Sequence, residues 1–421
     1  MEFFDRIFMK LKLHWQILIA LILGVLLARL SIWLGFEHIV IDQVSVVGDI
    51  FLRALKMIIV PLIISSIISG ITGISSAENF GRLSAKTFTY YITTSLIAIL
   101  TGLFLVNLIQ PGIGADLILQ ATPEGIEGDL GKLTETLINI IPTNPLAAMV
   151  NGDILPTIFF SMLFGFFITK APDPYKEKLT TLFQGFFEVM MRLTHFIILF
   201  APIGILAIIA KIVAQTGLDI FIPLASYMLT VVLALAVHAL ITLPVLLFFV
   251  AGISPIAHFK AMTAALLTAF STSSSSATLP LTISSVEENA GASNKVSSFV
   301  LPLGATINMD GTALYECVAA MFIAQVYGID LSFGQQFIIV FTALLASIGA
   351  AGIPMAGFVM MAIILNAVGL PMEGLGLILP VDRILDMMRT SVNVWSDSCG
   401  TVIIAKTEGE MGLKVLRKSL S

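Results

Sequence analysis

The chain has 421 residues, 57% of them hydrophobic and only 12% charged, with a mean hydropathy of +1.00. That balance excludes an ordinary soluble globule, and no ten-residue alternation of barrel type is present. The net charge of −5, with no basic stripe, excludes a nucleic-acid surface, and Cys317 and Cys399 sit in apolar sequence without metal-ligand spacing, so they read as buried small side chains.

Residues 1–15 carry Arg6, Lys10 and Lys12 before the first apolar run, and no small-residue cleavage site follows it. They read as a retained cytoplasmic lead-in. Apolar runs recur at 17–27, 96–108, 158–168, 196–210 and 228–250. Several reach the roughly 20 residues of a spanning helix once their weakly polar flanks are counted. Spans are predicted over 14–34, 45–74, 85–110, 140–170, 183–214 and 222–252, with an acidic external loop at 112–138. Basic residues fall in alternate loops: Arg82 and Lys86, then Lys170, Lys176 and Lys178, then Lys260, and finally Lys414, Arg417 and Lys418. Segments 35–42 and 111–129 have no Lys or Arg. The positive-inside rule then puts both termini in the cytoplasm.

The pattern changes after residue 253. An apolar stretch, 261–270, meets the polar run 271–280, which ends in Pro280, and apolar sequence resumes with no charge through Ser285. A serine run elsewhere would be a linker. Here a re-entrant hairpin tip fits better, because non-helical backbone at membrane depth must be buried in protein or line a cavity. The arrangement repeats at 337–365, where Ser347, Gly349, Gly352, Pro354 and Gly357 interrupt apolar sequence. Each hairpin precedes an acid-bearing helix, 301–325 and 377–407. Two such units point to an inverted repeat with a midplane site.

In the first of these helices, Gly311 within Asn308-Met-Asp-Gly-Thr312 predicts unwound backbone. Freed carbonyls beside a carboxylate form a hard-oxygen cage for a small cation, with Asp310 and Asp397 as the two anions. In the second, at about 100° per residue, Asp382, Asp386, Arg389, Thr390, Asn393 and Asp397 share one face, with Arg383 at its edge. Arg389 suits an anionic ligand group, since its planar fork matches a carboxylate bidentately. Asp386 suits a cationic one. The two together fit a zwitterion bearing an additional carboxylate. The alternative is an Asp386–Arg389 i,i+3 salt bridge that only holds the helix together.

Three motifs carry a resemblance that extends over nearly the whole chain: Ser273-Ser-Ser-Ser-Ala-Thr-Leu-Pro280, Asn308-Met-Asp-Gly-Thr312 and Asp386-Met-Met-Arg-Thr-Ser-Val-Asn393. They resemble the glutamate transporter homologue family, the dicarboxylate/amino acid:cation symporters that include the excitatory amino acid transporters of animals. The resemblance implies an all-α polytopic membrane protein of eight transmembrane helices and two re-entrant hairpins, at about 255–290 and 332–370. It implies a homotrimer in a cell (inner) membrane, with a scaffold at 1–77 and 112–221 and an elevator-like transport domain at 78–111 and 222–421. It also implies a symporter, not an enzyme, that takes up L-aspartate and/or L-glutamate with Na+.

By the same resemblance, Arg389 takes the side-chain carboxylate and Asp386 the amino group. Ser274, Ser275, Thr312, Ile353, Gly357, Thr390 and Asn393 supply further substrate contacts. Asp397 with Gly304, Asn308 and Asn393 corresponds to one Na+ site. The carbonyls of Thr306, Ser347, Ile348 and Ala350 with the Met309 sulfur correspond to a second, and Tyr91, Thr94, Ser95, Asn308 and Asp310 to a third. The chain departs from the pattern at Ser273, where archaeal relatives carry an arginine, and at Met387, where animal relatives carry one. Glu316 stands where animal relatives have a glutamate linked to proton transport, which makes it either a proton carrier or a polar group with no coupling role. Potassium counter-transport stays open, as do a proton-coupled or C4-dicarboxylate symporter and a channel-like anion conductance. An intramembrane serine hydrolase built on residues 273–276 is the weakest alternative, since His14, His38, His195, His238 and His258 lie far from that run in sequence.

Overall fold

A computed structural model describes residues 13–74, 81–115, 138, 140–151, 153–218, 221–349 and 356–411. Among these, every regular element is helical apart from an isolated bridge between Ala292 and Met411. Two helices are long and apolar enough to cross a membrane, 82–109 and 221–251.

The order begins with α1 (Leu13–Leu34), α2 (Ser45–Ile74) and α3 (Gly81–Ile109). After a gap in the described residues come α4 (Pro145–Asn151), α5 (Ile154–Lys170), α6 (Tyr175–Ile198) and α7 (Ala201–Thr216). Helices α1, α2, α5, α6 and α7 pack mainly on one another. The predicted span 183–214 is two helices, because the chain turns at Leu199 and Phe200 and restarts with Pro202 in the first turn of α7. Proline is tolerated there and not in a helix interior. The span 140–170 is likewise divided into α4 and α5. Only residues 112–115, 138 and 140 onward of the predicted acidic loop and its edge are described.

The span 222–252 is α8 (Phe221–Val237) and α9 (Leu243–Ala251), joined through a π-helical turn, His238–Thr242. Pro244 at the start of α9 has no N–H to continue the ordinary ladder, and the turn absorbs that defect. Next come α10 (Pro255–Thr272) and α11 (Ser275–Ser284), whose π-helical continuation Ser285–Ala290 packs back on α10. Asn289 Nδ2 donates to the carbonyl of Ala261 at 3.4 Å, so the pair is an antiparallel hairpin. Its tip is shorter than the polar run predicts. Only Ser273, left-handed at φ 52°, and Ser274 are non-helical, and Pro280 lies inside α11. Ser274 caps α11 by accepting from the Ala277 N–H at 3.1 Å, so the serine run initiates a helix as readily as it ends one.

Helix α12 (Asn294–Ile307) stops at Asn308 and Met309, whose backbones are non-helical, and α13 (Asp310–Val326) begins. The unwound point therefore precedes Gly311, which is helical. Glycine is needed there for contact instead: a Cβ at Gly311 would lie 2.8 Å from the carbonyl of Arg389. Nearly all of α13 is buried, as expected of a helix apolar on all sides, and it packs on α3, α8 and the elements that follow. These are α14 (Phe333–Gly349), α15 (Ala356–Ala367) and α16 (Gly374–Glu408). Helices α14 and α15 pack on each other, and the segment between them lies outside the described residues.

Candidate functional site

The predicted polar face of α16 is buried throughout: Asp382, Asp386, Arg389, Thr390, Asn393 and Asp397 are each no more than 6% exposed. Arg389 is the largest fully buried side chain among the described residues. Its Nη2 donates to Asp386 Oδ1 at 2.7 Å, and its Nη1 lies 3.2 Å from Asp382 Oδ1. The guanidinium carbon sits 3.9 Å over the ring of Tyr315 on α13, a cation–π contact. Arg383, at the edge of the face as predicted, reaches Asp386 Oδ2 at 3.5 Å.

The i,i+3 pair that a purely structural reading expects is thus present. It does not stop there. An exposed helix pair of this kind is worth about 0.3–0.5 kcal/mol, whereas burying charges costs several kcal/mol per ion. A guanidinium sunk between two carboxylates under an aromatic ring is a costly way to hold one helical turn. Arg389 Nε and Nη1 lack well-aligned acceptors, so donor capacity remains beside a surplus carboxylate.

Other elements converge on this point. A Cβ at Gly357, in the first turn of α15, would fall 3.1 Å from Arg389 Nη1 and 2.8 Å from Thr312 Cγ2. Asn393 donates its Nδ2 to Thr312 Oγ1 at 3.1 Å and accepts from the Gly311 N–H at 2.8 Å. Arg389, Asp386, Thr312, Asn393 and Gly357 therefore form one cluster. Thr390 lies on the same buried face, its hydroxyl donating to the Asp386 carbonyl at 2.8 Å. Ser274 and Ser275 are buried at the start of α11, which packs on α16. Ile353 and Ala350 lie outside the described residues.

Below this cluster a second network joins the two predicted anions. Asn308, freed from the helix, donates from Nδ2 to Asp397 Oδ1 at 2.8 Å and to Ser396 Oγ at 3.1 Å. Ser396 in turn donates to Asp310 Oδ2 at 2.6 Å. Asp310 Oδ1 accepts from Ser95 at 2.7 Å and lies 3.3 Å from Thr94 Oγ1, both on α3. Asn308 Oδ1 is buried with no donor, a hard oxygen of the kind a small cation takes. Tyr91 donates its hydroxyl to the Val300 carbonyl at 2.7 Å and not to Asp310. A Cβ at Gly304 would still meet both Tyr91 Oη and Asp397, so these groups share one small space. The residues of the first and third predicted sites thus fit oxygen coordination.

The second predicted site draws on the backbone carbonyls of Thr306, Ser347, Ile348 and Ala350 with the Met309 sulfur, and Ala350 lies outside the described residues. Met309 and Ser347 are buried, but Thr306 is exposed and bonds its own helix, and Ser347 donates to the Leu344 carbonyl. Ile348 lies in α14, which touches α12. Glu316 is fully buried, with neither carboxylate oxygen hydrogen-bonded.

Sequence reasoning missed two groups. His238 has no role in the sequence reading beyond its distance from residues 273–276, yet its Nε2 lies 3.1 Å from Asp310 Oδ2, with both side chains fully buried. The only signal was a histidine six residues before Pro244 inside an apolar span. Asp382 lay on the predicted face without an assigned role.

The sodium:dicarboxylate symporter family profile matches residues 13–407. The chain belongs to that family. It is 39% identical over 419 residues to the proton/glutamate-aspartate symporter of Escherichia coli, covering 96% of this chain and 95% of the relative. It is 37% identical over 409 residues to the proton/sodium-glutamate symport protein of Geobacillus stearothermophilus, covering 95% and 96%. It is also 39% identical over 410 residues to excitatory amino acid transporter 3 of Mus musculus, covering 85% of this chain and 78% of the relative. The family is one of symporters, not of enzymes, so the serine-hydrolase alternative falls away. The expected family resemblance holds over residues 13–407.

Proposed function

We propose that this chain is a secondary transporter that couples Na+ entry to uptake of L-aspartate and/or L-glutamate. The buried Arg389 cluster carries this reading. Its guanidinium, with unused N–H groups, receives the substrate's side-chain carboxylate, and Asp386 receives the ammonium. Thr312, Thr390 and Asn393 supply neutral contacts, with Ser274, Ser275, Ile353 and Gly357 from the hairpins. Na+ is cargo bound at Asp397 with Gly304, Asn308 and Asn393, and at Asp310 with Tyr91, Thr94 and Ser95. A further Na+ position draws on Thr306, Met309, Ser347, Ile348 and Ala350. A carboxylate isolated from water would otherwise take up a proton, and the cation keeps it ionised.

The protein sits in a cell membrane as a homotrimer with both termini cytoplasmic, a reading supported by its apolar helices and alternating loop charge. The packing of α1, α2, α5, α6 and α7 together supports a scaffold at 1–77 and 112–221. Residues 78–111 and 222–421 then move as the elevator, with both hairpins re-entrant. Uptake of labelled aspartate and glutamate into proteoliposomes under an imposed Na+ gradient tests the proposal. Accumulation should follow the gradient and vanish in Arg389→Cys. Uptake indifferent to Na+ would overturn the coupling, and full aspartate uptake by Arg389→Cys would overturn the carboxylate assignment.

A second reading, proton coupling, is favoured by two observations. Glu316 is buried with two unbonded oxygens, and a relative at 39% identity is a proton/glutamate-aspartate symporter. A pH gradient replacing the Na+ gradient in the same vesicles separates the two readings.

A further inference from the structure

A cavity of about 250 Å³ lies between α10, α16 and the π turn after α8. On α16 it is lined by Ser391, Val392 and Trp395. At about 100° per residue Ser391 and Trp395 lie roughly 120–180° around the helix from Asp386, Arg389 and Asn393, with Val392 at the flank between the two faces, so the cavity opens away from the substrate cluster. Its floor is sealed: Leu266, Val392 and Trp395 are 9%, 8% and 5% exposed. Its rim is open, with Leu240 70% and Leu267 63% exposed.

Each polar side chain in the wall already donates inside the protein. Ser391 donates to the Leu266 carbonyl at 3.0 Å, Thr263 to the Phe259 carbonyl at 3.0 Å, and the Trp395 indole N–H to the Ala239 carbonyl at 3.0 Å. The wall offers no free donor, so the ligand it fits is pure hydrocarbon. A dry apolar cavity of ~150 Å³ already accepts benzene, so this one admits a longer segment. The rim continues into exposed apolar side chains of 221–251, one of the two segments able to cross a membrane, among them Leu233, Ile241 and Phe248. The hydrocarbon at that surface is a lipid tail.

We propose that this cavity is a binding site for a phospholipid acyl chain, which inserts between α10 and the π turn and rests on Trp395. The proposal rests on the membrane reading above. The inserted chain has a structural consequence. Trp395 is wedged between His258 and Phe259, at centroid distances of 5.1 and 5.7 Å, and its indole holds the π-turn carbonyl at Ala239. The adjacent residue, His238, touches Asp310. A filled cavity holds the indole, and so the π turn, in place.

Trp395 is also the reporter. The chain has three tryptophans, and replacing Trp15 and Trp33 with Phe leaves Trp395 alone. Bromine quenches indole emission at near contact. This variant is reconstituted in phosphatidylcholine vesicles whose acyl chains carry mid-chain bromines, against unbrominated controls. Emission should fall as the brominated fraction rises. Thr263→Phe, or Val392→Phe should the first variant fold poorly, fills the cavity and should restore most of that emission. Absence of quenching, or equal quenching in the filled and unfilled variants, overturns the site. Na+-driven uptake by the same vesicles identifies which idea has failed: uptake with unquenched Trp395 removes the lipid site and leaves the transport reading intact.

Discussion

Arg389 and Asp382 are seven residues apart on one helix, both fully buried, with Nη1 3.2 Å from Oδ1. Asp386 holds the other end of the fork at 2.7 Å. A guanidinium hydrogen-bonded at Nη2 and facing a second carboxylate across Nη1 is restrained from swinging, and a restrained fork loses less entropy on meeting a carboxylate.

Asp382→Asn keeps the shape and removes the charge. The fork is then held by Asp386 alone, the group that must also meet the substrate's ammonium. Apparent affinity for acidic amino acids should fall about tenfold or more, since truncating one partner of a buried charge pair costs roughly 2–5 kcal/mol. Concentration dependence of uptake checks this, and an unchanged half-saturation point would remove Asp382 from the site.

His238 supports Asp310 from outside the predicted cage. His238→Ala deletes a contact to a buried carboxylate, an interaction worth about 1.5–3 kcal/mol. The Na+ concentration for half-maximal uptake should shift at least severalfold. His238→Gln, which returns an N–H at similar reach, should recover part of the shift. If Ala and Gln behave alike, the contact is incidental.

Glu316 separates the two coupling readings. Glu316→Gln keeps the volume and abolishes proton binding. If the residue carries a proton, uptake should lose its dependence on an imposed pH gradient while Na+-driven binding persists. A variant that responds to pH as the parent does would leave Glu316 as a polar side chain without a coupling role.

At the end of α16, Glu408 accepts from Arg82 at 2.7 Å and pairs with Lys86 at 2.5 Å, tying α16 to the start of α3. Hydrogen bonds from Lys86 and then Arg82 hold its carboxyl below the usual carboxylate range. A depressed folded value means the contribution is present above the unfolded value, about 4.3, and is lost as pH falls through the folded one. Glu408→Gln should therefore lower the thermal midpoint of the detergent-purified protein near neutrality. The gap to the parent should close in acid. A gap that is constant with pH would show the effect is not electrostatic.

Much of the site was legible in the sequence because α16 is one uninterrupted helix. Along such a helix, spacing alone decides which side chains share a face, so Asp382 through Asp397 could be placed together without coordinates. The cage around Asp310 was legible only through resemblance, since Ser95 and Ser396 approach it from helices more than 200 residues apart in sequence.

Composition and periodicity by themselves determined the helical class, the break between α10 and α11 and the charged face, all of which depend on neighbours within a few turns. Tertiary structure alone decided where the backbone unwinds, at Asn308 and Met309 instead of Gly311. It also decided that His238 meets Asp310, that Asp382 closes on Arg389, and that an apolar cavity open at its rim stands behind Trp395. The physical reason is that each of these depends on how close two helices come, and close approach is set by the packing of side chains from distant segments.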